Sequence, residues 1–313
     1  MTNKNQKRII FMGTPSISAF VLNGLIENGF NIVGVIAQPD RPVGRKKILE
    51  PVPTKVVASK HNIPVFQPIK IRKEYEFVRE LNPDIIVTLA YGQIVPQELL
   101  DIPPIGAVNL HGSLLPKYRG AAPIQYALLN NETETGMTLM RMVKEMDAGE
   151  MFDTEKVSIS IDDNSTSLFA KMGEAALRLI LRDLPLLLDG KLKGTNQDES
   201  KVTFAPSIKP EEEKINLAES KEKVFGLIRA LSDVPGAYLL LEGQKVKIFK
   251  ASIISESVTD EVGKIIKADK QGLEVQLSNG TLRILDLQKE GRNRTDYKSF
   301  LNGNPNLLGK KFE

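Results

Sequence analysis

The side chains best suited to chemistry stand in one short segment, residues 109–123. It reads Asn-Leu-His-Gly-Ser-Leu-Leu-Pro-Lys-Tyr-Arg-Gly-Ala-Ala-Pro. Asn109 and His111 are two residues apart, so both side chains point to the same face if the segment is a strand. The loop that follows is rich in glycine, proline and small residues, which let a backbone approach a ligand closely. These features favour a ligand-binding or catalytic histidine over a purely structural one.

Two other kinds of catalytic site are disfavoured by the residues present. Ser113 lies in Gly-Ser-Leu-Leu-Pro, which differs from the Gly-x-Ser-x-Gly turn of serine hydrolases. The chain has two histidines, His61 and His111, and no cysteine. We therefore expect neither a catalytic zinc site nor disulfide bonds. Gly13-Thr-Pro-Ser16 lacks the Gly-x-Gly-x-x-Gly fingerprint, so its glycine predicts a tight turn rather than a dinucleotide site.

The first half of the chain alternates strand and helix patterns. Short apolar runs predict buried strands at Arg8–Met12, Asn31–Ala37, Pro64–Phe66, Asp84–Leu89 and Gly106–Leu110. Helical patterns lie between them, at Ser16–Glu27, Thr54–His61 and Lys73–Leu81. This alternation predicts an α/β fold with a doubly wound, mostly parallel, Rossmann-like sheet. Asn109 and His111 then lie at the carboxyl end of a parallel strand, where such sheets bind ligands.

The second half of the chain has a different pattern. A long helical pattern at Ser165–Leu188 is followed by polar residues that predict a linker. Beyond it come several short strand patterns, and Asn279-Gly280 between two of them is a hairpin signal. Closely spaced short strands predict a small β-barrel. The predicted organisation is a catalytic domain at 1–190, a linker at 191–207 and a smaller domain at 208–313.

Composition and charge describe a globular protein. Of the 313 residues, 41% are hydrophobic and 26% are charged, and the net charge of +3 is too small to indicate a nucleic-acid partner by itself. No apolar run reaches the roughly 18–20 residues needed to cross a bilayer. The short apolar run after the basic N-terminus predicts a strand rather than a secretion signal. We expect a cytoplasmic protein with no membrane partner.

Several stretches resemble the signatures of formyltransferases that use 10-formyltetrahydrofolate. They are Asn109-Leu-His111, Ser113-Leu-Leu-Pro116, Tyr118-Arg-Gly-Ala-Ala-Pro-Ile-Gln125 and, further along, Asp147-Ala-Gly-Glu-Met151. The resemblance implies that Asn109, His111 and Asp147 are catalytic. It also implies that 10-formyltetrahydrofolate is the co-substrate, that no metal takes part, and that a folate-contacting segment is formed by Ser113, Leu114, Leu115 and Pro116.

The residue types suit the reaction that the resemblance implies. A formyl group moves from a folate nitrogen to an amine through a tetrahedral oxyanion. The Asn109 amide can donate a hydrogen bond to that oxyanion, a contact worth about 3 kcal/mol in comparable sites. His111 can supply an imidazolium that stabilises the oxyanion and protonates the leaving nitrogen. Asp147 can orient the ring and help to relay the proton of the amine through water.

A basic loop that follows the second predicted strand indicates which molecule accepts the formyl group. Residues 38–47 read Gln-Pro-Asp-Arg-Pro-Val-Gly-Arg-Lys-Lys. They resemble the insertion that methionyl-tRNA formyltransferases place against the acceptor stem, which implies initiator methionyl-tRNA as partner. By that resemblance Arg45 reaches the terminal base pair, and the tRNA-binding residues are Arg41, Arg45, Lys46 and Lys47. The family also has an OB-like C-terminal domain that binds tRNA, and lysines on the predicted strands suit an RNA backbone.

Two other functions remain open on the sequence. A UDP-amino-sugar formyltransferase has a similar two-domain layout but lacks the basic loop. Glycinamide ribonucleotide formyltransferases resemble the first domain alone, so the residues beyond that domain argue against this third function. A non-enzymatic RNA- or nucleotide-binding protein on a doubly wound sheet would leave the Asn-x-His and Asp-x-Gly pattern without a function.

Overall fold

The structure is a computed structural model that describes residues 6–43 and 48–313. Its strands are β1 (Ile9–Gly13), β2 (Ile32–Ile36), β3 (Arg41–Val43), β4 (Ile48–Glu50), β5 (Val65–Phe66), β6 (Ile85–Leu89), β7 (Ala107–His111), β8 (Glu134–Arg141), β9 (Met151–Ser158), β10 (Ala237–Leu241), β11 (Gln244–Ser255), β12 (Ile265–Asp269), β13 (Gly272–Leu277), β14 (Gly280–Lys289) and β15 (Thr295–Asp296). Its helices are α1 (Ser16–Glu27), α2 (Pro53–Lys60), α3 (Glu76–Glu80), α4 (Gln97–Leu100), α5 (Pro123–Leu129), α6 (Ser165–Leu188), α7 (Lys221–Leu231) and α8 (Tyr297–Gly303).

Contacts divide the described residues into two units. Unit 1 consists of residues 6–43, 48–121, 134–158 and 169–205, and unit 2 of residues 122–133, 159–168 and 206–313. Residues 122–133 belong to unit 2, because α5 packs against α7 there: a methyl group on Gly226 of α7 would lie 2.7 Å from the Leu129 carbonyl oxygen. These units are not contiguous ranges, so the domain boundaries predicted from the sequence stay a prediction.

Unit 1 is built on a seven-stranded sheet in the order β5-β2-β1-β6-β7-β8-β9. The first five strands are parallel, and β8 and β9 are antiparallel to their neighbours. Strands β1 and β6 are buried along their whole length, which explains why their sequences are apolar without alternation. The mostly parallel sheet predicted from the sequence is confirmed. The two antiparallel strands that extend it past β7 were not predicted.

Helix α1 begins and ends at the predicted residues. The helix predicted at Lys73–Leu81 is wrong in its first turn, since α3 begins only at Glu76. The Glu74 carboxylate accepts hydrogen bonds from the backbone N–H groups of Ile69 and Lys70. Those bonds stabilise a non-helical turn in the residues just before α3.

Residues 41–43 of the basic loop form β3, which pairs with β4 as an antiparallel hairpin with Arg41 opposite Glu50. The sequence predicted only a loop here. Arg41 is exposed on this hairpin. Arg45, Lys46 and Lys47 lie outside the described residues.

Unit 2 contains an antiparallel sheet in the order β10-β11-β14-β13-β12, with β15 paired to β14. The chain's last residues join its two outer strands: Leu240 of β10 exchanges backbone hydrogen bonds with Glu313, and Ile265 of β12 donates one to Lys310. The sheet is thereby closed around an apolar core that includes Leu239, Val246, Ile248, Leu273, Leu282 and Ile284. A smaller antiparallel β domain after the α/β domain is confirmed. No helix of the described residues is both long and apolar enough to cross a bilayer.

Candidate active site

Strand β7 carries two of the predicted catalytic residues. Asn109 is the half-buried middle residue of this strand, and His111 is its last residue, with 4% of its surface exposed. Parallel pairing with β6 places Thr88 opposite Asn109, and antiparallel pairing with β8 places Thr138 opposite His111. Because Asn109 and His111 are two residues apart on one strand, they lie on the same face of the sheet. The predicted position at the carboxyl end of a parallel strand is confirmed.

The fold brings Asp147 to His111 from the turn between β8 and β9. The distance between His111 Nδ1 and Asp147 Oδ1 is 3.6 Å, and both side chains are largely buried. The other ring nitrogen, Nε2, lies 2.9 Å from the carbonyl oxygen of Tyr118. A carbonyl only accepts hydrogen bonds, so Nε2 carries a proton in this arrangement. The ring is thus oriented by one main-chain oxygen and faces one carboxylate.

A second contact holds the carboxylate of Asp147. The backbone N–H of Gly120 donates to Asp147 Oδ2 over 2.9 Å. Gly120 has a φ of +123°, and a methyl group on it would lie 2.7 Å from the Ala205 carbonyl oxygen. Only glycine fits this conformation and this close approach. The glycine of the Tyr-Arg-Gly-Ala-Ala-Pro stretch therefore serves to place a donor on the predicted catalytic aspartate.

Residues 195–205, most of the predicted linker, contact the loop around the site. The backbone of Arg119 pairs with Thr203 and Ala205, and Thr203 Oγ1 accepts a hydrogen bond from the backbone N–H of Tyr118. Gln197 donates hydrogen bonds to the main chain at Asp147. Sequence reasoning missed these contacts because the segment has no regular periodicity and no motif, only a polar composition.

The predicted folate-contacting segment forms a turn that is stabilised by the hydroxyl groups of Ser113 and of Thr138 in β8. Ser113 Oγ donates to the Lys117 carbonyl over 2.6 Å, and Thr138 Oγ1 donates to the Ser113 carbonyl over 2.6 Å. Ser113 and Leu115 are buried, whereas Leu114 and Pro116 are half-buried. The peptide bond between Leu115 and Pro116 is cis. Of this segment, the side chains of Leu114 and Pro116 are the ones open to a ligand.

A cavity of about 550 Å³ opens at the carboxyl ends of β1, β2 and β6. Thr14, Gln38, Arg41 and Tyr91 are among its lining residues, and none of the three predicted catalytic residues is. Burial, together with the charge of Glu74, raises the pKa of Tyr91 well above its ordinary value. The cavity is therefore a separate feature of the same edge of the sheet.

Two buried hydroxyl groups of unit 1, those of Thr88 and Tyr91, have no hydrogen-bond partner among the residues that the structure describes. Thr88 lies directly beside Asn109 in the sheet. A buried polar group without a partner costs roughly 1–3 kcal/mol. These hydroxyls are thus donors that a polar ligand at this edge can satisfy. Within residues 6–43 and 48–313, no group of three or more acidic or histidine side chains is placed to hold a metal ion.

The chain is similar over nearly its whole length to known proteins. A family model described as "Formyl transferase" matches residues 7–184, and one described as "Formyl transferase, C-terminal domain" matches residues 207–305. Methionyl-tRNA formyltransferases of Bacillus cytotoxicus and of Bacillus cereus strain G9842 are each 46% identical to it over 307 residues, which is 97% of this chain and 98% of theirs.

Two solved structures have a similar fold at low sequence identity. HypX from Aquifex aeolicus in complex with tetrahydrofolic acid matches with a TM-score of 0.68 and 16% identity, over 97% of this chain and 48% of that one. An N-formyltransferase from Helicobacter canadensis, in complex with folinic acid and dTDP-3-aminofucose, matches with a TM-score of 0.68 and 20% identity, over 90% of this chain and 99% of that one.

Proposed function

The chain belongs to the methionyl-tRNA formyltransferase family, and we propose that it transfers the formyl group of 10-formyltetrahydrofolate to the free amino group of initiator methionyl-tRNA. The observation that carries this function is the 46% identity to methionyl-tRNA formyltransferases across 97% of the chain. Such a match includes both the α/β unit and the antiparallel unit. It favours the tRNA substrate over an amino-sugar, for which the similarity extends only to the fold.

Asn109, His111 and Asp147 carry out the transfer. The folate supplies an activated formyl group. The amide of Asn109 donates to the oxygen that becomes negatively charged when the amine attacks the formyl carbon. The His111 imidazolium stabilises the same charge and protonates the departing folate nitrogen through Nδ1, the ring nitrogen that does not contact the Tyr118 carbonyl. Asp147 keeps the ring in place and accepts, through water, the proton that the amine loses. The distance of 3.6 Å between His111 Nδ1 and Asp147 Oδ1 supports these roles of the two side chains.

Folate binds along Ser113, Leu114, Leu115 and Pro116. The half-buried Leu114 and Pro116 offer apolar contacts, and the main chain of the turn offers polar ones. The buried Ser113 side chain acts by bracing the turn, since its hydroxyl is engaged with Lys117. The unpartnered hydroxyl of Thr88 beside Asn109 supports a polar ligand at this edge of the sheet.

The tRNA contacts two parts of the chain. Arg41 of β3 binds the acceptor stem together with Arg45, Lys46 and Lys47. Residues 208–313 form a tRNA-binding domain that takes no part in the chemistry. The exposed position of Arg41 supports the first assignment, and lysines on β11 support the second.

Formyl-transfer assays with two acceptors, and a control without acceptor, test this function. The full-length protein is incubated with 10-formyltetrahydrofolate and charged initiator tRNA, and the amino acid released from the tRNA is analysed by mass spectrometry. Formylmethionine is the expected product. Parallel reactions contain a UDP-amino-sugar or no acceptor. Formylation of the sugar alone would establish the rival enzyme, and binding of RNA without transfer to any acceptor would establish a non-enzymatic protein.

A further inference from the structure

Asp147 has an unusual backbone conformation for a predicted catalytic residue. Its φ is +52°, in the left-handed region that side chains other than glycine rarely adopt. The following glycine, Gly149, has no room for a side chain, because a methyl group would overlap the Arg141 carbonyl. A strained turn of this kind persists only when its surroundings hold it. The contacts that hold this turn therefore also help to orient the Asp147 carboxylate.

Gln197 supplies the contacts to the main chain of this turn. Its Nε2 donates to the Asp147 carbonyl over 2.7 Å and to the Gly149 carbonyl over 2.8 Å. Only 9% of the residue is exposed. Both amide hydrogens are thereby used, one on each side of the turn. Because carbonyl oxygens only accept, the orientation of the amide group follows from its partners.

Arg119 binds the remaining polar atom of the Gln197 side chain, its amide oxygen. Its Nε donates to Gln197 Oε1 over 3.0 Å, and its terminal nitrogens contact Glu199. Arg119 is directly followed by Gly120, whose N–H donates to the Asp147 carboxylate. One network thus reaches Asp147 at two points: Gln197 holds its main chain, and the Arg119–Gly120 loop holds its side chain.

Among the natural side chains, the glutamine amide matches this arrangement best. Two donors must face two carbonyl groups while one acceptor faces an arginine. Glutamate has the same shape but no donor at neutral pH, methionine has similar length without either function, and asparagine is shorter by one methylene group. We propose that Gln197 is a positioning residue for formyl transfer, which acts by holding Asp147 in its alignment with His111. This inference rests on the catalytic role proposed for Asp147.

The proposal is tested in the full-length enzyme with Gln197→Met and Gln197→Glu, and with Gln97→Met and Gln97→Glu as matched controls. Gln97 is exposed and donates to Asp101, away from the turn. Each Gln197 variant should lower kcat for formyl transfer by on the order of 10-fold to 100-fold, the usual effect of a small misplacement of a catalytic group. The KM values for folate and tRNA should change by less than about threefold. The Gln97 controls should match the wild type.

A double-mutant cycle separates positioning from general stability. Asp147→Asn removes the carboxylate, so adding Gln197→Met to it should lower single-turnover rates by less than about twofold further. If Gln197→Met does not fold, Gln197→Glu enters the cycle, because it keeps the volume and the contact with Arg119.

Three outcomes would overturn the proposal. The first is a wild-type kcat in both Gln197 variants while Asp147→Asn is impaired. The second is an equal loss from the Gln197 substitution with and without Asp147→Asn, which would show that Gln197 acts on the fold and not through Asp147. The third is a wild-type kcat in Asp147→Asn, which would remove the catalytic role of Asp147 and this inference together. The acceptor assays described above would be unaffected by the first two outcomes.

Discussion

His111 has a small set of contacts that explains what its removal would do. Its ring makes one hydrogen bond, to the Tyr118 carbonyl, and faces Asp147. We expect His111→Ala, Asn109→Ala and Asp147→Ala each to lower turnover by at least about 10²-fold, the scale of lost acid–base or oxyanion groups. Steady-state formylation assays measure this effect, and circular dichroism checks that the variants are folded. Near-normal turnover in His111→Ala would refute the assignment.

The Ser113 hydroxyl should contribute to the stability of the fold rather than to the affinity for folate. Its hydroxyl is fully buried and donates to the Lys117 carbonyl. Ser113→Ala should reduce the free energy of unfolding by about 1 kcal/mol, the usual value of one buried hydrogen bond. The Kd of a folate analogue should change by less than about threefold, which corresponds to about 0.65 kcal/mol.

The matched control for Ser113 is Ser278→Ala. Ser278 makes the same kind of bond, to the Glu219 carbonyl, on an exposed surface of unit 2. Its loss should have a smaller effect on urea denaturation, because water replaces the bond. A large loss of folate affinity in Ser113→Ala, with unchanged stability, would mean that the hydroxyl contacts the ligand after all.

At the scale of elements, one carboxylate ties the starts of β1 and β6 together. Asp84 accepts a hydrogen bond from the Arg8 backbone N–H over 2.7 Å and pairs with Lys7 over 3.0 Å. Burial alone would raise the pKa of Asp84, but the bond from Arg8 and the Lys7 ammonium outweigh it and lower the pKa below its ordinary value. The ionised form is thus favoured in the folded protein.

Asp84→Asn should therefore destabilise the protein in a pH-dependent way. The folded pKa is lower than the unfolded one, so the stabilisation is present above the unfolded pKa and is lost as the pH falls through the folded pKa. We expect a loss of about 1–2 kcal/mol near neutral pH, typical of a hydrogen bond to a charged group. Urea unfolding of both proteins from neutral to acidic pH measures the difference.

The exposed Asp101 provides the control for this pH dependence. Asp101→Asn should change the free energy of unfolding by no more than about 0.5 kcal/mol, as usual for a surface site. A difference between wild type and Asp84→Asn that persisted unchanged below the pKa of the carboxylate would contradict its role as an ionised partner.

The basic loop, residues 38–47, supplies the residues proposed to bind the acceptor stem. If Lys46 contacts a phosphate, Lys46→Ala should weaken tRNA binding and lower the slope of log K against log salt by roughly one contact. Arg45→Ala should impair use of tRNA more than folate binding, because a planar guanidinium both stacks and donates. Filter binding over a salt series measures the slope, with the exposed Lys60→Ala as control. Equal losses for tRNA and folate would point to a folding defect.

At the scale of the whole molecule, the prediction concerns the division of work between chemistry and tRNA binding. Lys245 and Lys247 lie on the face of β11 opposite the buried Val246 and Ile248. Lys245 lies over the Tyr238 ring, and Lys247 donates to the Pro235 carbonyl. If this face binds RNA, the double variant Lys245→Ala, Lys247→Ala should raise KM for tRNA and lower the salt slope by roughly one unit per phosphate contact. Its kcat at saturating tRNA should be unchanged.

Lys223→Ala is the control for this face. Lys223 is exposed on α7 and paired with Glu219. It should bind tRNA like the wild type at about 0.15 M salt, where distant charges are largely screened. A double variant of Lys245 and Lys247 with unchanged tRNA affinity would remove this face from the proposed interface.

The sequence alone was sufficient for the features that depend on local pattern. Apolar runs and helical periodicity predicted the parallel strands, the helix Ser16–Glu27 and a separate region of short strands. Burial on both faces of a sheet, or along one side of a helix, requires apolar residues at regular positions within a short stretch of sequence. Spacing and strand-end position singled out Asn109 and His111 in the same way. The resemblance of whole stretches to formyltransferases added Asp147 and the substrates.

Only the tertiary structure decided which distant residues meet. The contact of Asp147 with His111, the donor from Gly120 and the role of Gln197 each join segments that are far apart in sequence. Strands β8 and β9 were not predicted, because their burial depends on neighbours in the sheet. The contacts of residues 195–205 with the loop around the site were not predicted either, because hydrogen bonds to a loop require no periodicity. Such contacts are set by the packing of the sheet, which brings chain segments together without leaving a repeated pattern in any one of them.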